Sequence, residues 1–340
     1  MSDPIVAENL VKVYGGKVHA VEDVSFRVRE GELFGFLGPN GAGKTTTVQM
    51  LTGNLRLTKG RATVADLDVA REPLAVKERI GLVFQESTAD PDLTGRENLE
   101  LAAALFRVPL KVTKSRVDAL LERMQIGDAA NRLVKTYSGG MRRRLELAVG
   151  IIHSPRVLFL DEPTLGLDPQ GRAGFWRYVR ELRKDHGTTV FVTTHYLDEA
   201  DEMCDRIAII DHGKIVATGS PSELKDRLGG DIVTVRPVNI AAAGTEALLK
   251  GLPTVVSVVA SDGSYRVKVP RGETLIPVLV DACTRAGIGL AGVSLKRPSL
   301  DEVFLEFTGR EYREDEGGMT ATDRAVRIGQ VQQAFGRARR

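Results

Sequence analysis

A chain of 340 residues, 42% hydrophobic and 27% charged, has an ordinary globular composition and room for roughly two domains at ~150 residues each. Forty-seven basic against forty-five acidic residues leave a net charge of +2, too balanced for a nucleic-acid footprint, and no nucleic-acid partner is expected. Cys204 and Cys283 are the only cysteines, so a disulfide framework is excluded and a reducing compartment is expected. No stretch approaches the ~18 apolar residues of a membrane span, and the start at Met1-Ser2-Asp3-Pro4 lacks the regions of a signal peptide.

The first elements differ from those that follow. Segments 5–14 and 20–28 alternate in polarity around Gly15-Gly16, which predicts an antiparallel strand pair. Apolar runs of strand length then recur at 33–37, 81–84, 157–160, 189–193 and 206–210. Helical stretches lie between several of them, the pattern of a mostly parallel sheet with helices on its faces. From about 87 to 150 no strand-like run occurs, and 96–106 and 114–124 have helical spacing, so a helical subdomain is expected there. Residues 1–228 therefore read as one α/β unit.

After Gly229-Gly230 the composition shifts, and 229–310 is expected to form a small α+β domain. Strands are predicted over 231–237, 255–260, 265–269 and 289–295, and helices over 241–250 and 273–286, in βαββαβ order. Asp262-Gly263 between two β-rich runs is a hairpin signal, because glycine tolerates the positive φ of such a turn. Residues 311–340 form a charged tail, acidic at Glu311, Glu314, Asp315 and Glu316 and basic at Arg337, Arg339 and Arg340. Ile328, Val331 and Phe335 fall at helical spacing within it, so a docking helix and a disordered tail are both open.

Gly38-Pro39-Asn40-Gly41-Ala42-Gly43-Lys44-Thr45 fits the Walker A pattern, directly after an apolar strand and before a helix-compatible run. Glycines let backbone N–H groups curl around phosphate oxygens, and the following helix points its positive end at them. Lys44 can reach the β- and γ-phosphates, the Thr45 hydroxyl can ligate Mg²⁺, and Thr46 can add a phosphate hydrogen bond. Val157-Leu158-Phe159-Leu160-Asp161-Glu162 is an apolar strand ending in two carboxylates, and ligands sit at the carboxyl ends of parallel strands. Asp161 fits the Walker B role of holding Mg²⁺, and Glu162 fits a general base that polarises water. The acidic run Asp198, Glu199, Asp201 and Glu202 reads as the solvated face of a helix.

Tyr137-Ser138-Gly139-Gly140-Met141, a short distance before the Walker B strand, resembles the signature of ATP-binding cassette (ABC) proteins. Gln85 matches the family's Q-loop glutamine, Gly166-Leu167-Asp168-Pro169 its D-loop, and His195 its switch histidine. Tyr14 sits where the family's A-loop aromatic stacks on adenine. Tyr137 and Met141 stand in place of the commonest Leu and Gln. The resemblance covers the first ~200 residues. It implies an α/β P-loop ABC cassette: a mostly parallel core sheet, an antiparallel β subdomain and a helical subdomain. It also implies an ATPase that takes ATP and Mg²⁺, with Glu162, His195 and Lys44 in catalysis and Gln85 a further Mg²⁺ ligand. In this family Ser138, Gly139, Gly140 and Met141 touch the ATP of the opposite cassette and Asp168 belongs to the D-loop. Two cassettes meet head to tail, so a homodimer is implied.

Residues 292–309, with Lys296-Arg297-Pro298-Ser299-Leu300-Asp301-Glu302-Val303-Phe304-Leu305, resemble the end of drug-resistance (daunorubicin type) ABC exporter ATPases. That resemblance implies export of drugs, lipids or similar hydrophobic compounds through a separate permease, from the cytoplasmic face of the membrane. The residues following Gln85, 87–105, correspond to the region that receives the permease's coupling helix. The alternative readings are an importer subunit and a soluble non-transport ABC ATPase. The single Walker A argues against the two-cassette ribosomal type, and the absence of sustained heptads against the chromosome and repair type. For 231–309, which carries no His and no carboxylate cluster at ligand spacing, a role in assembly and control is expected.

Overall fold

A computed structural model describes residues 3–84, 87–228, 230–238, 244–261 and 263–308. The expectations for Gln85, Asp262, the start of the helix at 241–250 and the tail at 311–340 lie outside the described residues. The chain divides into two compact units, with the second beginning at Gly219, ten residues ahead of Gly229.

The first unit opens with β1 (Ile5–Tyr14), β2 (Val18–Val28), β3 (Leu33–Leu37), α1 (Lys44–Leu51), β4 (Lys59–Val64), β5 (Leu67–Asp68), α2 (Pro73–Arg79) and β6 (Ile80–Val83). Three helices follow, α3 (Gly95–Leu105), α4 (Leu110–Arg123) and α5 (Gly139–Ile151), with only short 3₁₀ turns between α4 and α5. The unit closes with β7 (Val157–Asp161), α6 (Pro169–His186), β8 (Thr189–Thr194), α7 (Leu197–Met203), β9 (Arg206–Asp211) and β10 (Lys214–Gly219).

Two sheets result. The antiparallel one has order β2-β1-β4-β5. It contains two strands more than the pair expected from the sequence, because β4 opens with Lys59-Gly60-Arg61, all exposed, and shows no clear alternation. The six-stranded sheet has order β10-β9-β3-β8-β7-β6, and its β9-β3-β8-β7-β6 neighbours are all parallel. Strands β3, β7 and β8 are buried at every position, as a sheet covered on both faces requires. Phe26, Phe34, Phe36, Phe159 and Phe191 pack at the centre, Phe191 lying 5.5–5.8 Å from each of the other four ring centroids.

Parallel pairing fixes where the chain leaves the sheet. Leu37 at the end of β3 is in register with Thr194 of β8, and Asp161 at the end of β7 with Thr193. The loop after β3, the residue after β7 and the residue after β8 are therefore delivered to one edge.

The acidic run on α7 does not form a wholly solvated face. α7 is solvated on one side only: Asp198 and Glu202 are exposed, whereas Glu199 is buried and accepts a 2.7 Å hydrogen bond from Thr164 Oγ1. Its place beside Leu197, Ala200 and Met203 on the inner face decides this, since a seven-residue helix has room for only one buried stripe.

The second unit comprises α8 (Pro221–Asp226), β11 (Asp231–Pro237), α9 (Thr245–Lys250), β12 (Ser257–Ser261), β13 (Ser264–Val269), α10 (Gly272–Arg285), β14 (Leu290–Lys296) and α11 (Leu300–Thr308). Its antiparallel sheet has order β12-β13-β11-β14. Val233, Val235, Val267 and Val269 alternate inward and meet Leu249, Leu275, Leu279 and Cys283 of α9 and α10. α8 packs against α11 within this unit.

Candidate active site

The Walker A segment leaves β3 and becomes α1, whose N-cap is Gly43 at φ 107°. A Cβ there would stand 2.4 Å from the Ala20 carbonyl oxygen, so only glycine fits both the angle and the space. This turn leaves the first N–H groups of α1 at the carboxyl edge of the sheet, where an anion is favoured. Asn40, Gly41 and Thr45 are exposed on it, and Thr46 is half-buried.

Lys44 is 5% exposed. Its Nζ donates to the carbonyl oxygens of Gly38 (2.7 Å) and Pro39 (3.3 Å) and lies 3.2 Å from Glu162 Oε1. Thr45 Oγ1 donates to Asp161 Oδ1 at 3.4 Å. The Walker A lysine and hydroxyl are thus each paired with one of the two carboxylates ending the apolar strand.

Glu162 follows β7 at φ 48°, in the left-handed region that a glutamate seldom occupies. Its N–H is shared between the Thr193 carbonyl oxygen and Thr193 Oγ1, both at 3.1 Å. The Thr193 hydroxyl in turn donates to Asp161 Oδ1 at 2.5 Å. His195 Nδ1 lies 3.4 Å from Glu162 Oε2, and its side chain is buried. Lys44, Thr45, Asp161, Glu162 and His195 are therefore brought together from the ends of β3, β7 and β8.

The two carboxylates are driven in opposite directions. Burial pushes Asp161 above the usual carboxylate range, only partly opposed by its bonds from Thr193 and Thr45 and further raised by Glu162. Burial also pushes Glu162 upward, but the His195 imidazole 3.4 Å away and the Lys44 charge outweigh it and hold Glu162 below the usual range. Glu162 is thereby an anion at neutral pH inside a dry site.

No group of three or more His, Cys, Asp or Glu at metal-binding spacing exists among the described residues. Mg²⁺ does not need one, because it keeps waters and substrate oxygens and takes only one or two protein ligands. The hard oxygens of Thr45 and Asp161 meet that requirement.

The remaining sequence candidates lie elsewhere. Ser138 caps α5, its Oγ accepting from the Met141 N–H at 3.3 Å. Gly139 and Gly140 have open space where a Cβ would stand. Tyr137, the departure from the usual leucine, is buried and donates from its hydroxyl to the Ala129 carbonyl at 2.7 Å. Asp168 caps α6 and accepts from the Gly171 N–H at 2.8 Å. Tyr14 ends β1, half-buried, with Lys12 Nζ 5.2 Å from its ring centre. Two residues that bear on the site were missed in the sequence, Thr193 and Arg143. Thr193 donates to the Asp161 carboxylate and accepts the Glu162 backbone N–H, and its place directly before Thr194-His195 at a strand end was the available signal.

A family model described as ABC transporter matches residues 21–165, and one described as ATP-binding protein DrrA1-3-like, C-terminal domain, matches 219–308. The daunorubicin resistance ATP-binding protein DrrA3 of Streptomyces coeruleorubidus is 44% identical over 309 residues, covering 91% of this chain and 97% of that protein. The doxorubicin resistance ATP-binding protein DrrA of Mycobacterium tuberculosis is 42% identical over 310 residues, covering 89% and 93%. The linearmycin resistance ATP-binding protein LnrL of Bacillus subtilis is 35% identical over 310 residues, covering 91% and 99%. Among solved structures, cbiO1 from Clostridium perfringens, part of an ABC transporter complex, aligns with a TM-score of 0.61 at 28% identity over 66% of this chain and 91% of that one. A dimeric ATP-binding cassette in a post-hydrolysis state, bound to ADP and phosphate, aligns with a TM-score of 0.59 at 25% identity, covering 64% and 98%.

Proposed function

Because the chain belongs to the family of ABC transporter ATP-binding proteins, we propose that its two units serve a drug-resistance type exporter whose ATPase site is the cluster at the ends of β3, β7 and β8. One observation carries the site assignment. Lys44, Thr45, Asp161, Glu162 and His195 come from three separate strand ends and meet within 3.4 Å contacts at the mouth of the glycine-rich turn.

The chemistry follows from the side chains. The N–H groups opening α1 and the Lys44 ammonium bind the β- and γ-phosphates, and Lys44 exchanges its Glu162 contact for phosphate oxygens. Thr45 and Asp161, together with Gln85, hold Mg²⁺, which neutralises phosphate charge when bound. Glu162, ionised and desolvated, orients the attacking water and accepts its proton, giving ADP and phosphate. His195 fixes the second oxygen, Oε2, of the Glu162 carboxylate, Lys44 lying at Oε1. Tyr14 stacks on adenine, and Thr46 adds a phosphate hydrogen bond.

The dimer arrangement rests on the signature. Ser138 and Gly139 are exposed and Gly140 and Met141 half-buried, and together they form a helix amino end suited to a phosphate on a second copy. We read the working form as a head-to-tail homodimer, with Asp168 at its seam. No described helix is long and apolar enough to cross a membrane, and we read the path as belonging to a separate permease. The cassette then acts at the cytoplasmic face of that permease, and the second unit governs assembly.

The cargo is a drug or lipid-like hydrophobic compound, a reading supported by relatives named for resistance to daunorubicin, doxorubicin and linearmycin. Export is favoured over import by the match of 219–308 to the C-terminal domain of such proteins. The test is affinity purification of the full chain from membranes, followed by drug efflux with the co-purifying protein. A polytopic partner without its own cassette, and efflux that stops when Glu162 is changed to Gln, are expected. Co-purification with a ribosome or with DNA would overturn the reading.

A further inference from the structure

Arg143, one turn into α5, has a buried side chain whose planar fork is fully engaged. Its Nε donates to the Pro163 carbonyl, Nη1 to the Phe84 carbonyl (2.6 Å) and to Glu146 Oε2 (2.8 Å), and Nη2 to the carbonyls of Glu162 (3.0 Å) and Asp161 (3.4 Å). A guanidinium has five N–H groups, and here each has an acceptor.

The choice of acceptors is informative. Asp161, Glu162 and Pro163 are consecutive, and their peptides carry the two carboxylates of the site. Phe84 is the last described residue before Gln85. Glu162 sits at φ 48°, a conformation that persists only when its surroundings hold it. Thr193 holds its N–H from one side, and Arg143 holds its carbonyl from the other. An anchor for helix packing alone would need one of these bonds. Four of the five converge on backbone that aims ligand-bearing side chains, at the solvation cost of a buried cation whose nearest carboxylate, Glu146, is 5% exposed.

We propose that Arg143 is a positioning residue for ATP hydrolysis: it sets the aim of Glu162 and Asp161 and locks them, with the start of the Gln85 loop, to the helix that begins at the signature. The proposal rests on the reading of Glu162 as the base. Lysine cannot substitute, because its three donors radiate from one point and cannot span carbonyls on two strands.

The test uses the full chain, with ATP affinity and single-turnover hydrolysis measured separately. Arg143→Lys is expected to slow hydrolysis at saturating ATP by ~10- to 100-fold, as a sub-ångström to ångström misplacement does, with ATP affinity held within about threefold. In a Glu162→Gln background the same change is expected to cost less than about twofold, because the group it aims is already disabled. Equal losses in both backgrounds, or an undiminished rate, overturn the proposal. So does a loss of ATP affinity that parallels the loss of rate, which marks a merely structural anchor. If Arg143→Lys fails to fold, Glu146→Gln loosens the fork more gently. It should lower the rate severalfold at unchanged affinity, again only while Glu162 is present, and an undiminished rate overturns the idea. A fast Glu162→Gln enzyme overturns the base reading and this proposal with it, whereas a fast Arg143→Lys enzyme beside a slow Glu162→Gln enzyme overturns the proposal alone.

Discussion

Lys44 Nζ stands 3.2 Å from Glu162 Oε1, with the two side chains 4% and 7% exposed. The pair joins the glycine-rich turn after β3 to the end of β7 in a space that water hardly reaches. Two consequences follow for the chemistry. Glu162 stays ionised despite its burial, and the Lys44 ammonium proposed to meet the phosphates is held by the Gly38 and Pro39 carbonyls.

Removing that cation should act on binding. Lys44→Ala deletes the charge proposed to face the phosphates and is expected to weaken ATP affinity at least ~10-fold, about 1.4 kcal/mol or more. Titration with a fluorescent ATP analogue reads it. Normal affinity in the variant contradicts the placement of phosphates at Lys44.

The Thr193 hydroxyl donates to the Asp161 carboxylate and accepts the Glu162 backbone N–H. Thr193→Val removes both bonds while keeping the shape. Burial already pushes Asp161 upward, so losing the opposing hydroxyl should push it further and leave a poorer cation ligand at neutral pH. The expected outcome is a higher Mg²⁺ requirement for hydrolysis and a stability loss of about 1–3 kcal/mol, both restored by Thr193→Ser. An unaltered Mg²⁺ titration in Thr193→Val contradicts the role given to Asp161.

His153 supplies a pH dependence away from the site. Its ring stacks on Phe106 at 3.8 Å, and its Nε2 lies 3.0 Å from the Ile80 carbonyl, which the neutral Nε2–H tautomer satisfies as donor. Burial holds its pKa below the ordinary 6.5, the Ile80 bond opposing and Arg116 adding to the shift. The unfolded chain thus binds a proton at higher pH than the folded one. Its contribution is fully present above about pH 6.5 and is lost as pH falls toward the lowered folded value. The urea midpoint should fall between about pH 7.5 and 5.5, and His153→Gln should flatten that fall. Equal slopes in the two proteins would show that another group governs the acid limb.

The legible parts of this molecule are those written in consecutive residues. The eight residues from Gly38 to Thr45 declare a phosphate turn because its glycines and lysine are contiguous, and Asp161-Glu162 stand out because an apolar strand precedes them. Arg143 and Thr193 were not legible. The main-chain partners of Arg143 lie 18–59 residues away and the partners of Thr193 31–32 residues away, and main-chain carbonyls carry no residue type. Glu199 was misread because charge suggests solvent, while its helical position places it inside. Strand β4 escaped because Lys59-Gly60-Arg61 has no alternation. The second unit's start at Gly219 was hidden because α8 resembles any short surface helix until α11, some seventy-five residues later, packs on it.

Glu162 is proposed as the proton acceptor at an ATP site built by Lys44, Thr45, Asp161 and His195. Glu162→Gln preserves the side-chain shape and removes the ability to accept a proton. The most direct measurement is single-turnover ATP hydrolysis by this variant, alongside equilibrium ATP binding and size-exclusion chromatography with ATP. The account predicts near-native affinity, hydrolysis slowed by ~10²- to 10⁴-fold, and a dimer that persists while ATP is bound. Hydrolysis at the wild-type rate would contradict it.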